Sequence, residues 1–394
     1  MQNFNYCNKT RLVFGKDSHK EIGRLIRPHT GKVLLHFGGG SIKKSGLYDE
    51  VRASLSASGI TATDLGGVQP NPLLSLVREG INICRAEKIK FILAVGGGSV
   101  IDSAKAIALG VPYEGDVWDF FLSVEKTAQD VLPVATVLTL PGTGSEASWS
   151  TVITKAGEQR KLVSNREISR PLLSVINPEL FFTLPASQIA NGACDMLCHV
   201  MERYFTNTVH TDVIDGMCES VMKNIIRHSL ILMNDSKNYE SWAELSLAGT
   251  IAHNGILGLG RAEDWASHRI EHELSAVYNV AHGAGLAVVF PAWMGYVYES
   301  NVPMFAQFAV KVMGAENGFR PLDELALEGI ARLKKFFAGL GLPANLRELG
   351  IDAGQFENMA RMATAANSGQ EKPLGGMRKI YWQDALAILE LANQ

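Results

Sequence analysis

Residues 91–108, FILAVGGGSVIDSAKAIA, decide the fold. Phe91 to Val95 is an unbroken apolar run, Gly96-Gly97-Gly98 closes it, and a helical pattern from about Ile101 to Ala108 follows. A buried strand that ends in glycines and turns into a helix is part of a βαβ unit. The same order appears on either side. Val33 to Phe37 is an apolar run ending in Gly38-Gly39-Gly40, and Val134 to Leu138 runs into a turn rich in Pro, Gly and Thr. Leu73 to Ala86 supplies a further helical pattern. The alternation predicts an α/β half around a mostly parallel sheet.

After about Pro185 the texture changes. Ile189 to Phe205, Val213 to Met233, Trp242 to Ile256, Ala266 to Val277 and Leu322 to Leu340 carry apolar residues at helical spacing, and strand-like alternation nearly disappears. The reading is two domains, an α/β domain over 1–185 and a helical domain over 186–394, divided near Thr183-Leu184-Pro185. A chain of 394 residues exceeds one ordinary core. With no low-complexity linker, the two domains are expected to pack directly and leave a cleft.

Apolar residues make up 46% and charged residues 20%, the balance of a globular protein, and the net charge of −3 gives no long-range attraction to nucleic acid or anionic membranes. Five cysteines with no CxxC pair argue against a disulfide framework and for a reducing, cytoplasmic location. Neither a signal peptide nor an apolar stretch long enough to span a bilayer is expected.

Three strand-ending loops suit a phosphorylated ligand. Gly96-Gly97-Gly98-Ser99 opens a helix, where free N–H groups and the helix dipole favour an anion. Taken alone, the glycines equally fit a tight turn without a ligand. At Gly38-Gly39-Gly40-Ser41 a dinucleotide site would place an acidic residue on the ribose hydroxyls. Here the positions are Gly and Ser, with Lys43 and Lys44 beyond, which suits a 2′-phosphate and points to NADP(H) over NAD(H). Thr139-Leu140-Pro141-Gly142-Thr143-Gly144-Ser145-Glu146 presents three hydroxyls beside two glycines, good donors for a pyrophosphate.

The helical half opens with Asp195 and His199, four apart and therefore on one helix face. His253, His268, His272 and His282, four of the ten histidines, cluster further on. His268 and His272 repeat the four-residue spacing, and His282 stands among small neighbours in Val280-Ala281-His282-Gly283-Ala284-Gly285. A carboxylate and three imidazoles suit Fe(II), Zn or another divalent first-row ion. On spacing alone, five histidines compete for the three places beside Asp195. Cys194 and Cys198 fall one position off the Asp/His face and read as small core residues.

At GGGSVIDSAKAIA (96–108), LTLPGTGSEAS (138–148), NGACDMLCHVMERYF (191–205) and AHNGILGLGRAEDWASHRIEHELSAVYNVAHGAGLAVVFP (252–291), the chain resembles the iron-containing (group III) alcohol dehydrogenases. It is most similar to their butanol-dehydrogenase and broad-specificity aldehyde-reductase branch, over essentially its whole length. The resemblance implies a dehydroquinate synthase-like fold, with a Rossmann-like dinucleotide domain and an all-α metal domain. It implies Asp195, His199, His268 and His282 as metal ligands, with Fe(II) expected and Zn the other choice. His272 matches a histidine near the nicotinamide and is the catalytic candidate for relaying a proton; His253 matches no ligand. Gly97, Gly98, Ser99, Asp102, Thr139, Thr143, Ser145, Lys161, Thr183 and Asn71 match cofactor-contacting positions. Members that prefer NAD tend to carry an acidic residue where Gly39-Gly40-Ser41 stands.

The expected reaction interconverts short-chain primary alcohols and aldehydes, with aldehyde reduction the direction in the cell. The alternatives are a dehydroquinate-synthase-like lyase using bound NAD, or a non-catalytic dinucleotide-binding scaffold. The first calls for several cations near the ligands, where Met196, Met201, Trp265 and Phe290 stand among few. The second conflicts with a full ligand set. The resemblance also implies a homodimer, in which Arg11 to Phe14 pairs across subunits.

Overall fold

Strands buried on both faces organise the first half of the chain, in a computed structural model that describes residues 1–123, 125–365 and 370–394. The strands are β1 (Arg11–Phe14), β2 (Lys32–Gly38), β3 (Thr61–Val68), β4 (Ile92–Gly96), β5 (Val134–Leu138), β6 (Ser150–Lys155), β7 (Arg160–Asn165) and β8 (Leu173–Ile176). Six of them form one parallel sheet in the order β1-β8-β5-β4-β2-β3, while β6 and β7 make a separate antiparallel pair. The helices of this unit are α1 (Ile22–Ile26), α2 (Ser41–Lys44), α3 (Leu47–Ala57), α4 (Leu74–Ala86), α5 (Gly98–Gly110) and α6 (Asp119–Leu122).

The central strands β2, β4 and β5 read as continuous apolar runs because both faces are covered. On one face Val33, Leu35, Leu93, Val95, Val137 and Val175 form a core with Ile22 and Ile26 of α1 and Val51 and Leu55 of α3. The other face carries a row in register, His36, Ala94, Thr136 and Ser174. There His36 Nδ1 donates to the Leu65 carbonyl (2.9 Å) and its Nε2 accepts from Ser103 of α5 (2.8 Å). The connection leaving β2 leads outward to β3, and the one leaving β4 leads the opposite way to β5. The turns Gly38–Ser41 and Gly96–Ser99 therefore flank the topological switch point, where open α/β sheets bind ligands.

The second unit is Leu184–Gln394 joined by Met1–Tyr6. Its helices are α7 (Ala186–Tyr204), α8 (Asp212–Asn234), α9 (Tyr239–His253), α10 (Ala266–Tyr278), α11 (His282–Val297), α12 (Val302–Lys311), α13 (Leu322–Gly339), α14 (Phe356–Thr364) and α15 (Trp382–Ala392). The first six residues, grouped by the sequence with the α/β half, cluster here because the Met1 ammonium donates to Val209 O (2.9 Å) and Gln2 N to Gly260 O (2.7 Å). Helix α9 stops at His253, short of the expected Ile256, because Gly255 turns the backbone at φ 99°. Among the described residues, no helix is long and apolar enough to cross a membrane.

Helix α7 packs against α8, α9 and α11 and is buried along most of its length. Such a helix must pair any charge it carries. Its buried Asp195, Glu202 and Arg203 mark where this unit departs from an ordinary apolar core.

Candidate metal and cofactor sites

The four-residue helical spacing places Asp195 and His199 on one face of α7, as the sequence implies. Around Asp195 Oδ1 stand the Nε2 atoms of His199 (3.5 Å), His282 (3.7 Å) and His268 (3.9 Å). An ion about 2.1 Å from four tetrahedral donors sets them roughly 3.4 Å apart, so these three distances to Asp195 run slightly long. Donor atoms of Asp195, His268 and His282 all lie within 4.8 Å of one another, a group that His199 does not join. Asp195 Oδ1 and His268 Nε2 are buried with no hydrogen-bond partner among the described residues. Buried polar atoms are normally satisfied, so a cation that both could bind fits them. Gly283 allows the set to close: a Cβ there would come within 2.2 Å of the Asn191 carbonyl oxygen on α7. The close approach of α11 to α7 brings His282 to Asp195.

The charge balance fits a cation too. Burial presses His268 down, but the Asp195 and Glu202 carboxylates outweigh it and hold this imidazole up at about 9. Burial and the neighbouring His253 and His268 hold His199, stacked on His268 with ring centres 4.9 Å apart, well below its ordinary value. In the protein alone the cluster thus favours a positive charge on one imidazole. A divalent ion bound by these residues would take that place. Solvent reaches the set from the His282 side, whose side chain is 23% exposed against 5–7% for the other three.

Two residues that the sequence reading missed complete the arrangement. Glu202 of α7 accepts from His268 Nδ1 at 2.7 Å, and Glu271 of α10 accepts from His282 Nδ1. His272, also on α10, is buried beside the set, its ring centre 5.6 Å from that of His282. His253 packs edge-on against His199, ring centres 4.1 Å apart.

In the α/β unit, Gly97 and Gly98 open α5, with Ser99 in its first turn. A Cβ on Gly98 would lie 2.3 Å from Thr143 Oγ1, so glycine there lets the 139–146 loop close over the helix start. Thr139 follows β5, and its N–H bonds Gly96 O at 3.1 Å. Gly39, Gly40 and Ser41 form the turn into α2, and Asn71 takes a positive φ of 55° beyond β3. Asp102 and Ser145 are buried: Ser145 donates to Asp102, and Asp102 also accepts from Val152 N (3.0 Å). Lys161 is buried in β7, and Thr183 is exposed after β8.

The model of the iron-containing alcohol dehydrogenases matches residues 9–178, and that of the Fe-containing alcohol dehydrogenase family, C-terminal, matches residues 189–392. A probable NADH-dependent butanol dehydrogenase of Bacillus subtilis (strain 168) is 43% identical over 389 residues, 99% of each chain. The NADPH-dependent aldehyde reductase YqhD of Escherichia coli (strain K12) is 34% identical over 388 residues, 97% of this chain and 99% of that one. The crystal structure of NADH-dependent butanol dehydrogenase A from Thermotoga maritima superposes with a TM-score of 0.96 at 39% identity, covering 100% of this chain and 99% of the other.

Proposed function

We propose that this chain, which belongs to the iron-containing alcohol dehydrogenase family, reduces short-chain aldehydes of the butanal type to primary alcohols with NADPH. It is an NAD(P)-dependent oxidoreductase that interconverts alcohol and aldehyde. The observation that carries the proposal is the ring of three imidazole nitrogens around the buried, unbonded Asp195 Oδ1.

Asp195, His199, His268 and His282 would hold the ion, Fe(II) first, with Zn(II) accepted by the same donors. When bound, a divalent ion supplies Lewis acidity toward the substrate oxygen, and the nicotinamide supplies the hydride. His272 would deliver the proton that the product hydroxyl requires. The main-chain N–H groups at the start of α5, Gly97 to Ser99, would bind the pyrophosphate, helped by the Thr139 and Thr143 hydroxyls. Asn71, Asp102, Ser145, Lys161 and Thr183 complete the proposed cofactor contacts.

The NADP(H) preference rests on the Gly39-Gly40-Ser41 turn, which offers no carboxylate, and on Lys43 and Lys44 beyond it. The similar proteins differ on this point, since the Bacillus enzyme is named for NADH and the Escherichia enzyme for NADPH. Reduction is the proposed cellular direction because NADPH is kept reduced in cells. A cytoplasmic location is supported by five free thiols. Homodimerisation is supported by the edge position of β1 and its exposed Leu12 and Phe14.

The test is oxidation of NADPH and of NADH with butanal, before and after chelation and with Fe(II) or Zn(II) restored. NADPH turnover that disappears on chelation and returns with the ion is expected. Faster turnover with NADH would overturn the cofactor reading, and no turnover in metal-loaded protein would overturn the reaction.

A further inference from the structure

We infer that Glu202 and Glu271 are positioning residues for the ion, each fixing one imidazole so that its Nε2 faces Asp195. The inference rests on the proposed ligand set but concerns residues outside it. A carboxylate can only accept, so a hydrogen bond from Nδ1 fixes the proton there and leaves the lone pair on Nε2.

Glu202 lies seven residues after Asp195 and three after His199, hence on the same face of α7. Its side chain is fully buried. One oxygen accepts from His268 Nδ1 (2.7 Å) and His268 N (3.2 Å), and the other from Trp265 N (2.6 Å). Trp265 is the N-cap of α10, has no side-chain cap and sits at φ 66°, a conformation bulky residues rarely adopt. Its indole N–H donates to Glu263 (2.6 Å), and Arg203 stacks 4.7 Å from its ring. A single carboxylate from α7 therefore caps α10 and orients the imidazole in its first turn.

Glu271 repeats the device from α10 toward α11. Also fully buried, it accepts from His282 Nδ1 and from Ser275 Oγ. A Cβ on Gly285 would come 2.7 Å from Glu271 Cγ, so that glycine keeps the carboxylate seated. Donor atoms of Glu271, His272 and His282 lie within 4.8 Å of one another and could be taken for a second ion site. The bond from His282 Nδ1 to Glu271 makes this group part of the support for the first. Among the described residues, His199 Nδ1 is buried without a hydrogen bond, and its ring is oriented by stacking on His268.

The experiment compares Glu202→Gln and Glu271→Gln with the parent and with Asp195→Ala by chelator competition for Zn(II) and by the visible spectrum of the Co(II) protein. Each Gln variant is expected to bind one ion per chain 10- to 100-fold more weakly, with an altered Co(II) band. Parent-like affinity and spectrum in both variants, or two ions per chain in the parent, would overturn the inference. No ion in the parent, or parent-like binding in Asp195→Ala, would instead overturn the ligand set. Because Glu202→Gln also loosens a helix cap, nitrogen-15 NMR of histidine-labelled parent Zn(II) protein gives an independent reading. Nδ1–H tautomers at His268 and His282 are expected, and Nε2–H at either position would overturn the inference.

Discussion

Lys105 Nζ, wholly buried in α5, donates to Ser145 Oγ at 2.8 Å, and Ser145 passes the hydrogen bond on to Asp102. The same ammonium reaches the carbonyls of Ser148 and Ser150, both at 2.9 Å, so one cation anchors the segment that follows the Thr139 to Ser145 loop. Burial lowers Lys105 to about 8 against the pull of Asp102, and raises Asp102 against the pull of Lys105. Lys105→Met leaves a buried carboxylate without its counterion and should lower stability by about 3 kcal/mol or more. Urea unfolding checks this, with Lys20→Met as the control: it removes an exposed pair to Asp17 and should leave the midpoint unmoved.

Gly98→Ala tests the close approach of the loop to α5. The added Cβ meets Thr143 Oγ1 at 2.3 Å and Cγ2 at 2.4 Å, so the loop must withdraw from the helix start. The KM for the nicotinamide cofactor should rise at least 10-fold, about 1.4 kcal/mol of binding. Metal content should stay at the parent level. An unchanged cofactor KM would remove this loop from the site.

His36 makes stability depend on pH. Burial lowers its pKa from 6.5 to about 4, so the unfolded chain takes up the proton first as pH falls. The contribution is fully present above pH 6.5 and is lost as pH falls through about 4, at most about 3 kcal/mol. Unfolding midpoints between pH 7 and 4 should fall more steeply in the parent than in His36→Gln. Equal slopes would exclude His36 as the group responsible.

The legible parts of this protein were those with local period. The runs of β2, β4 and β5 showed because both faces are buried, and Asp195 with His199 showed because four residues make a helical turn. Strand β3 escaped as a sheet edge carrying Thr61 and Asp64 among few apolar residues, and β1, singled out only for pairing across subunits, pairs with β8 of its own chain. Helix α11 escaped because it is apolar all round and contains Pro291, so no amphipathic period marks it. Glu202 had a signal, its spacing of seven and three from Asp195 and His199, but in HVMERYF it reads as an ordinary surface charge. No spacing reveals that Asp102 turns toward Ser145, because that bond joins residues 43 positions apart.

His272 and His268 share a face of α10 and should separate cleanly on substitution. His268→Ala removes a proposed ligand and should abolish both metal retention and activity. His272→Ala should keep the ion while kcat falls roughly 100-fold, the scale of a lost general acid. Metal analysis alongside kcat distinguishes the two. Loss of metal in both variants would place His272 among the ligands, and full activity without His272 would end its proton role.

Gly39→Asp tests the choice between NADP(H) and NAD(H). Gly39 is exposed, and nothing lies within 4 Å of an added Cβ, so the turn can accept a side chain. Gly40, at φ 114°, cannot do so without strain. A carboxylate at position 39 would repel a 2′-phosphate and accept from the ribose hydroxyls of NAD(H). The kcat/KM with NADPH should fall at least 10-fold while that with NADH holds or rises. Lys43 stands 5.1 Å from the Phe37 ring centre and 5.0 Å from that of Tyr48, which keeps its ammonium beside the turn. Lys43→Ala should therefore weaken NADPH and spare NADH. If neither substitution changes the ratio of the two cofactors, the phosphate is read elsewhere, and the absence of an acid at Gly39 to Ser41 carries no preference.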